Sequence, residues 1–138
     1  MRLHKSFSAA LFAFALLTAP LLAHHSVGKE FDLTQATTIR GVITKVEWVN
    51  PHAWITLETK AANGSISSWH IEMGSPNSLM RGGIRGQDLE LAKPCSVEIW
   101  PARDGSKTAS GRKLTFAEGK SFDISDKFGD ALLNVPAK

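Results

Sequence analysis

The stretch AWITLETKAANGSISSWHIEM, residues 53–73, decides the fold. From Ala53 to Thr59 the side chains alternate. Ala53, Ile55 and Leu57 fall on one face and Trp54, Thr56 and Glu58 on the other. From Ser68 to Met73 they alternate again, with Trp69, Ile71 and Met73 against His70 and Glu72. A period of two is the mark of a half-buried strand. Between the two runs stands Asn63-Gly64, the strongest hairpin signal in the chain, which predicts a type I′ turn. The stretch therefore reads as two antiparallel strands with one face buried.

Working outward, Ile39, Val42, Val46 and Trp48 mark an earlier strand, with Gly41 expected at a bend or bulge. Asn50-Pro51 ends it. After Met73 the pattern changes. Ser75 is an N-cap and Pro76 a first helical residue. One helical turn over 78–81 follows, closed by Gly82-Gly83. A second short turn is expected at Gln87–Leu91. Ser96–Ala102 reads as a strand with Val97 and Ile99 inward, and Asp104-Gly105 turns it. Gly111–Ala117 reads as the last strand, carrying Leu114 and Phe116. Three strands, a short helical linker and two more strands is the order of a small five-stranded antiparallel barrel of the oligonucleotide/oligosaccharide-binding (OB) type. The expected class is all-β with one short helix; a generic β-sandwich is the rival. The barrel is bounded at 37–118, with a lead-in over 24–36. A tail over 119–138 carries Ile124, Phe128, Leu132 and Leu133.

Residues 1–23 have the three parts of a secretory leader. Arg2, His4 and Lys5 precede an apolar run, Phe7–Leu17, and Ala23 closes the cleavage region. The apolar run is too short for a bilayer span, which needs about 20 residues, and no second such run follows. No cysteine stands at the cleavage region, which argues against a lipoprotein. The expectation is a periplasmic or secreted protein with no membrane span after cleavage. Removing the leader takes Arg2 and Lys5, so Lys+Arg falls from 16 to 14 against 13 Asp+Glu, a mature charge of +1. The cations Arg81, Arg85, Lys107, Arg112 and Lys113 are scattered, which excludes a nucleic-acid binder with a concentrated basic face. Cys95 is the single cysteine, so no disulfide forms within the chain, and it reads as a small semi-buried residue. No phosphate loop, zinc-protease motif or nucleophile elbow is present. Glu30, Asp32, Glu47, Glu58 and Glu72 show no spacing that selects an acid–base pair, so no catalytic residue is assigned.

Cleavage after Ala23 would leave His24-His25 at the mature terminus. A free α-amine with two imidazoles is a ligand set for copper first and zinc second. His52, in the turn after Asn50-Pro51, and His70, in mid-strand, are the candidate ligands from the body. Each also has a structural reading: His52 as a turn residue bonded to a backbone carbonyl, His70 as an exposed strand residue. His70 and Glu72 at i, i+2 share a face. Met73 and Met80 offer thioethers but read first as core filler. Trp48, Trp54 and Trp69 are candidate ligand-stacking aromatics. Trp48, Trp54, Trp69 and Trp100 read first as core or half-core residues.

Several of these stretches resemble a known family when taken together. They are His24-His25-Ser26, Phe31-Asp32, the run Gly41–Trp48, Asn50-Pro51-His52-Ala53-Trp54, and Glu72-Met73-Gly74-Ser75-Pro76-Asn77. The resemblance is to the domain of unknown function 6152, found in small exported bacterial proteins, and it spans roughly 24–118. It implies an exported, compact β-rich domain with His24, His25, His52 and Trp54 as motif positions, and it implies no activity. Lys93-Pro94-Cys95-Ser96-Val97 departs from the family pattern, with Cys95 where glycine is expected in a tight turn. Three functional expectations follow. The first is an exported binding module taking copper through the mature terminus. The second is a cell-envelope module that binds a small ligand or a protein, with structural histidines and no metal. The third is a redox enzyme built on an amino-terminal histidine brace.

Overall fold

The computed structural model describes residues 27–127. His24 and His25, and Phe128, Leu132 and Leu133 of the tail, lie outside them. A short helix α1 (Val27–Glu30) leads into β1 (Thr37–Glu47), β2 (Trp54–Lys60) and β3 (Ile66–Glu72). Helix α2 (Pro76–Arg81) and a 3₁₀ turn at Gly86–Asp88 follow, then β4 (Pro94–Pro101), β5 (Thr108–Phe116) and β6 (Ser121–Asp123).

The strands pair in the order β3-β2-β1-β4-β5-β6, and β3 also pairs with β5. That last pairing closes β1–β5 into the expected OB-like barrel. One expectation is corrected here. The closing ladder, His70–Glu72 against Thr108–Ser110, is parallel, so the barrel is not purely antiparallel. The reason is topological: α2 and the loop after it carry the chain across the barrel, so β4 returns beside β1 and β5 comes up alongside β3. The short strand β6 extends the sheet beyond β5.

The alternating runs define the core. Ala53, Ile55, Leu57, Ile71 and Met73 are buried with Ile43, Val97, Ile99, Leu114 and Phe116. Leu79, Ile84 and Leu89, from α2 and the loop after it, join the same core. Ile124 completes it from beyond β6. Ser75 caps α2 through its Oγ, which accepts from the Ser78 amide at 3.2 Å, and Pro76 stands in the first turn. The lead-in packs as well. Phe31 and Val27 are buried, and Phe31 bridges to Ala102.

Three local expectations change. The β2–β3 hairpin exists, but its turn is not type I′. Only Gly64 has positive φ (84°), while the Gly64 amide bonds to the Ala61 carbonyl and the Ala61 amide to the Ser65 carbonyl. That is a type I turn followed by a left-handed glycine, and Asn63 Oδ1 braces it by accepting from the Ser65 amide at 3.0 Å. The β1 bulge lies between Ile43 and Lys45, not at Gly41. Gly41 is required for a close approach of strands. A Cβ there would stand 2.0 Å from the Glu58 carbonyl oxygen, so only glycine lets β1 pass this close to β2. Finally, Cys95 is not in a turn. It faces inward from β4, opposite Gly41 and Phe116. The left-handed residue of the preceding turn is Ala92, at φ 59°.

Gly41→Ala should therefore cost about 3 kcal/mol, because the clash is with backbone and cannot relax by a rotamer change. Gly64→Ala meets no neighbouring atom and should cost only about 1 kcal/mol for its left-handed φ. Urea denaturation of the two variants checks the ranking.

Candidate functional site

His52 sits between a cis Asn50-Pro51 bond and the first residues of β2. The turn is tied down on both sides. The Ala53 amide donates to the Gly74 carbonyl and the Met73 amide to the Ala53 carbonyl. The chain returning from β6 lies against the same exit of β3, with the Gly74 amide donating to the Ile124 carbonyl. Three segments distant in sequence thus meet at His52.

Both ring nitrogens of His52 are engaged by carboxylates. Nδ1 lies 2.5 Å from Glu72 Oε1 and Nε2 lies 3.2 Å from Asp126 Oδ2. A carboxylate only accepts, so each nitrogen must donate, and the ring is an imidazolium. Bonding to Asp126 and then to Glu72 holds the proton, and the pKa rises to about 10 against the opposing effect of burial. The side chain is 18% exposed. This corrects the expected backbone-carbonyl partner: two acidic side chains hold the ring, one from β3 and one from beyond β6.

The arrangement sets the His52 proton against metal binding near neutral pH. A metal needs the neutral ring, and displacing a proton with pKa about 10 at pH 7 lowers affinity about a thousandfold. The two carboxylates also flank opposite edges of the ring and do not converge on a common point. Among the described residues no group of three or more His, Cys, Asp and Glu is arranged to hold a metal ion.

His70 is a different case. Its ring stacks on Trp54, with centroids 4.3 Å apart and planes 13° from parallel. Its Nε2 lies 3.3 Å from Glu47 Oε2, and Lys45 Nζ is 3.0 Å from the other oxygen of that carboxylate. Lys45 first and His70 second hold the Glu47 carboxyl below its usual range. His70 is 48% exposed on the outer face of β2 and β3. So His70 and Glu72, although on one face, do not act as a pair. Each is claimed by a partner from another segment, Glu47 and His52 respectively.

The tryptophans divide in the same way. Trp48 and Trp69 pack against the core, Trp48 under Gly86 and Trp69 beneath the Lys107 ammonium at 4.7 Å. Trp54 presents its ring outward with His70. Trp100 carries the Arg112 guanidinium at 4.0 Å. None of the four is fully buried. Met73 is core, whereas Met80 is 48% exposed on α2.

Sequence reasoning singled out neither Glu47 nor Asp126 as a partner. Asp126 is 74 residues from His52. The available signal was the alternation Phe122-Asp123-Ile124-Ser125, which marks an extended segment able to return along the barrel.

The His52 cation makes stability depend on pH with a definite sign. Its folded pKa is raised, so the stabilisation is complete below about 6.5 and is lost as pH rises toward about 10. Between pH 6.5 and about 9 the slope should approach about 1.4 kcal/mol per unit. Calorimetric melting of the wild type and of His52→Gln across that range tests this. The wild type should lose its advantage over the variant steadily as pH rises, and a constant difference would show that His52 carries no bound proton.

No curated protein and no solved structure matches the chain. A family model does: it matches residues 13–112, the greater part of the sequence, including β1 to β4, the His52 turn and His70. The chain belongs to the family of unknown function DUF6152.

Proposed function

We propose that this chain is an exported binding module of the cell envelope, cleaved after Ala23, whose mature terminus takes up copper together with His70. The observation that carries the reading is the exposed pair His70–Glu47, with 3.3 Å between Nε2 and Oε2. Two ligands on one ion, each bound at about 2 Å, stand about 2.8 Å apart at the right angle that copper(II) favours and about 3.3 Å apart at a tetrahedral angle. Copper(II) can therefore sit between the two groups once they close by about half an ångström.

Two protein ligands leave a site incomplete. In this reading the α-amine and imidazoles of His24-His25 complete it, and copper leads zinc because nitrogen sites favour copper(II). The path of the lead-in supports this. Phe31 bridges Ala102, the Ala102 amide bonds to the Thr108 carbonyl, and Thr108 pairs with His70. Phe31 is thus three strand spacings from His70, about 14 Å at about 4.8 Å each. The helical turn 27–30 spans about 6 Å, and any chain covers at most about 3.3–3.6 Å per further residue. His70 replaces His52 as the ligand from the body, because His52 is committed to Glu72 and Asp126.

A second reading, ligand binding without metal, draws on Trp54. Its ring lies on the β2–β3 face that OB-like barrels use for ligands, and the four tryptophans all retain exposed surface.

Titration calorimetry of protein cleaved after Ala23 decides between the two. Copper(II) should bind one-to-one, and both His24→Ala/His25→Ala and His70→Ala should weaken it about tenfold or more. His52→Gln, measured below its melting temperature, should bind as the wild type does. Equal affinity in the His70→Ala variant removes the barrel from the site. Equal affinity in the terminal double variant ends the copper reading and leaves the metal-free one.

A further inference from the structure

At the far end of β2 from His52 the barrel opens into a cleft of about 620 Å³. Its floor is Gly41, in the middle of β1, with Cys95 and Phe116 paired beside it at the ends of β4 and β5. Val42, Pro94 and Ala117 form the walls, and Ile66 stands on the rim. Ile66 is 65% exposed, a large apolar side chain at the start of β3 with most of its surface in water. Cys95 and Phe116 are 6% and 1% exposed, and burial pushes the Cys95 thiol up to about 11. The floor is therefore apolar.

Three charged residues border the cleft: Arg40 on β1, Glu58 on β2 and Lys60 at the end of β2. Among the described residues none of the three makes an ion pair. Two cations face one carboxylate, so the mouth carries a net positive charge above an apolar floor. The volume falls within the range of about 300–1,000 Å³ typical of small-molecule sites.

We infer that this cleft binds a free single-chain amphiphile with an anionic head, its hydrocarbon laid between Ile66, Val42 and Phe116 and its head at Arg40 and Lys60. The occupant is a soluble monomer and not a bilayer, because the apolar surface lies in a concavity at the barrel end and not on a protruding face. The Gly41 position matters twice. It lets β1 approach β2, and it leaves the floor without a side chain where β1 crosses the mouth. The site is separate from the His70–Glu47 pair and needs no metal.

The test uses octanoate, decanoate and dodecanoate below their micelle concentrations, with titration calorimetry and amide NMR. Binding should be one-to-one and should tighten about three- to fourfold per methylene buried. Amide shifts should centre on Gly41, Ser96 and Phe116. Decanol should bind about tenfold more weakly than decanoate, as should decanoate to Arg40→Glu/Lys60→Glu. Ile66→Asp, an exposed change that leaves the core intact, should also weaken decanoate. Three results would overturn the inference: shifts that centre elsewhere, equal binding of decanol and decanoate, or no dependence on chain length. Phosphatidylglycerol vesicles are the remaining arm. The protein should stay in the supernatant when they are sedimented, and co-sedimentation would replace the monomer site with a membrane surface.

Discussion

The imidazolium of His52, held between Glu72 and Asp126, is the interaction on which the rest of the structure depends. A cation between two carboxylates satisfies both ring donors and offsets one of the two negative charges in a largely buried site. Charge-assisted bonds of this kind are worth about 1.5–3 kcal/mol each, and removing one partner leaves the other charge stranded. The position gives the bond its leverage. Glu72 is the last residue of the three-residue parallel ladder that closes the barrel, and Asp126 belongs to the chain that returns across the β3 exit. One side chain from the β1–β2 turn therefore fastens the closing seam and the carboxy-terminal segment together.

This accounts for the division of labour among the histidines. A histidine committed to two carboxylates is a structural cation, and a metal must first displace its proton. A histidine stacked on Trp54 and bonded to one exposed carboxylate keeps access to solvent. The structural anchor and the candidate ligand are thus set apart by their partners, though both lie on β2 and β3 or the turn before them. The amphiphile cleft sits at the other end of β2, where the hairpin leaves Ile66 uncovered. The two ends of the barrel carry different chemistry on one scaffold.

Much of the fold was legible in residues 53–73. Period-two alternation names the buried face directly, and Ala53, Ile55, Leu57, Ile71 and Met73 all lie in the core. Ser75-Pro76 announced α2 because capping is a local interaction. What escaped is non-local. Nothing near His70–Glu72 signals a parallel partner at Thr108–Ser110, and nothing near His52 names Asp126. Asn63-Gly64 marks the turn but not its type, because the type I′ pattern needs positive φ at both residues and this longer connection needs it only at Gly64. Lys93-Pro94 looks like a turn and so suggests one at Cys95. The strand in fact starts at Pro94, and Ala92 takes the left-handed conformation.

The decisive measurement is the protonation state of His52. Long-range proton–nitrogen NMR of ¹⁵N-histidine-labelled protein reports both ring nitrogens as a function of pH. At about pH 8 both His52 nitrogens should carry protons, with titration only as pH approaches about 10. A neutral tautomer at that pH, titrating near the ordinary histidine value of about 6.5, would contradict this. The seam would then be held by a single neutral hydrogen bond, and His52 would return as a candidate metal ligand.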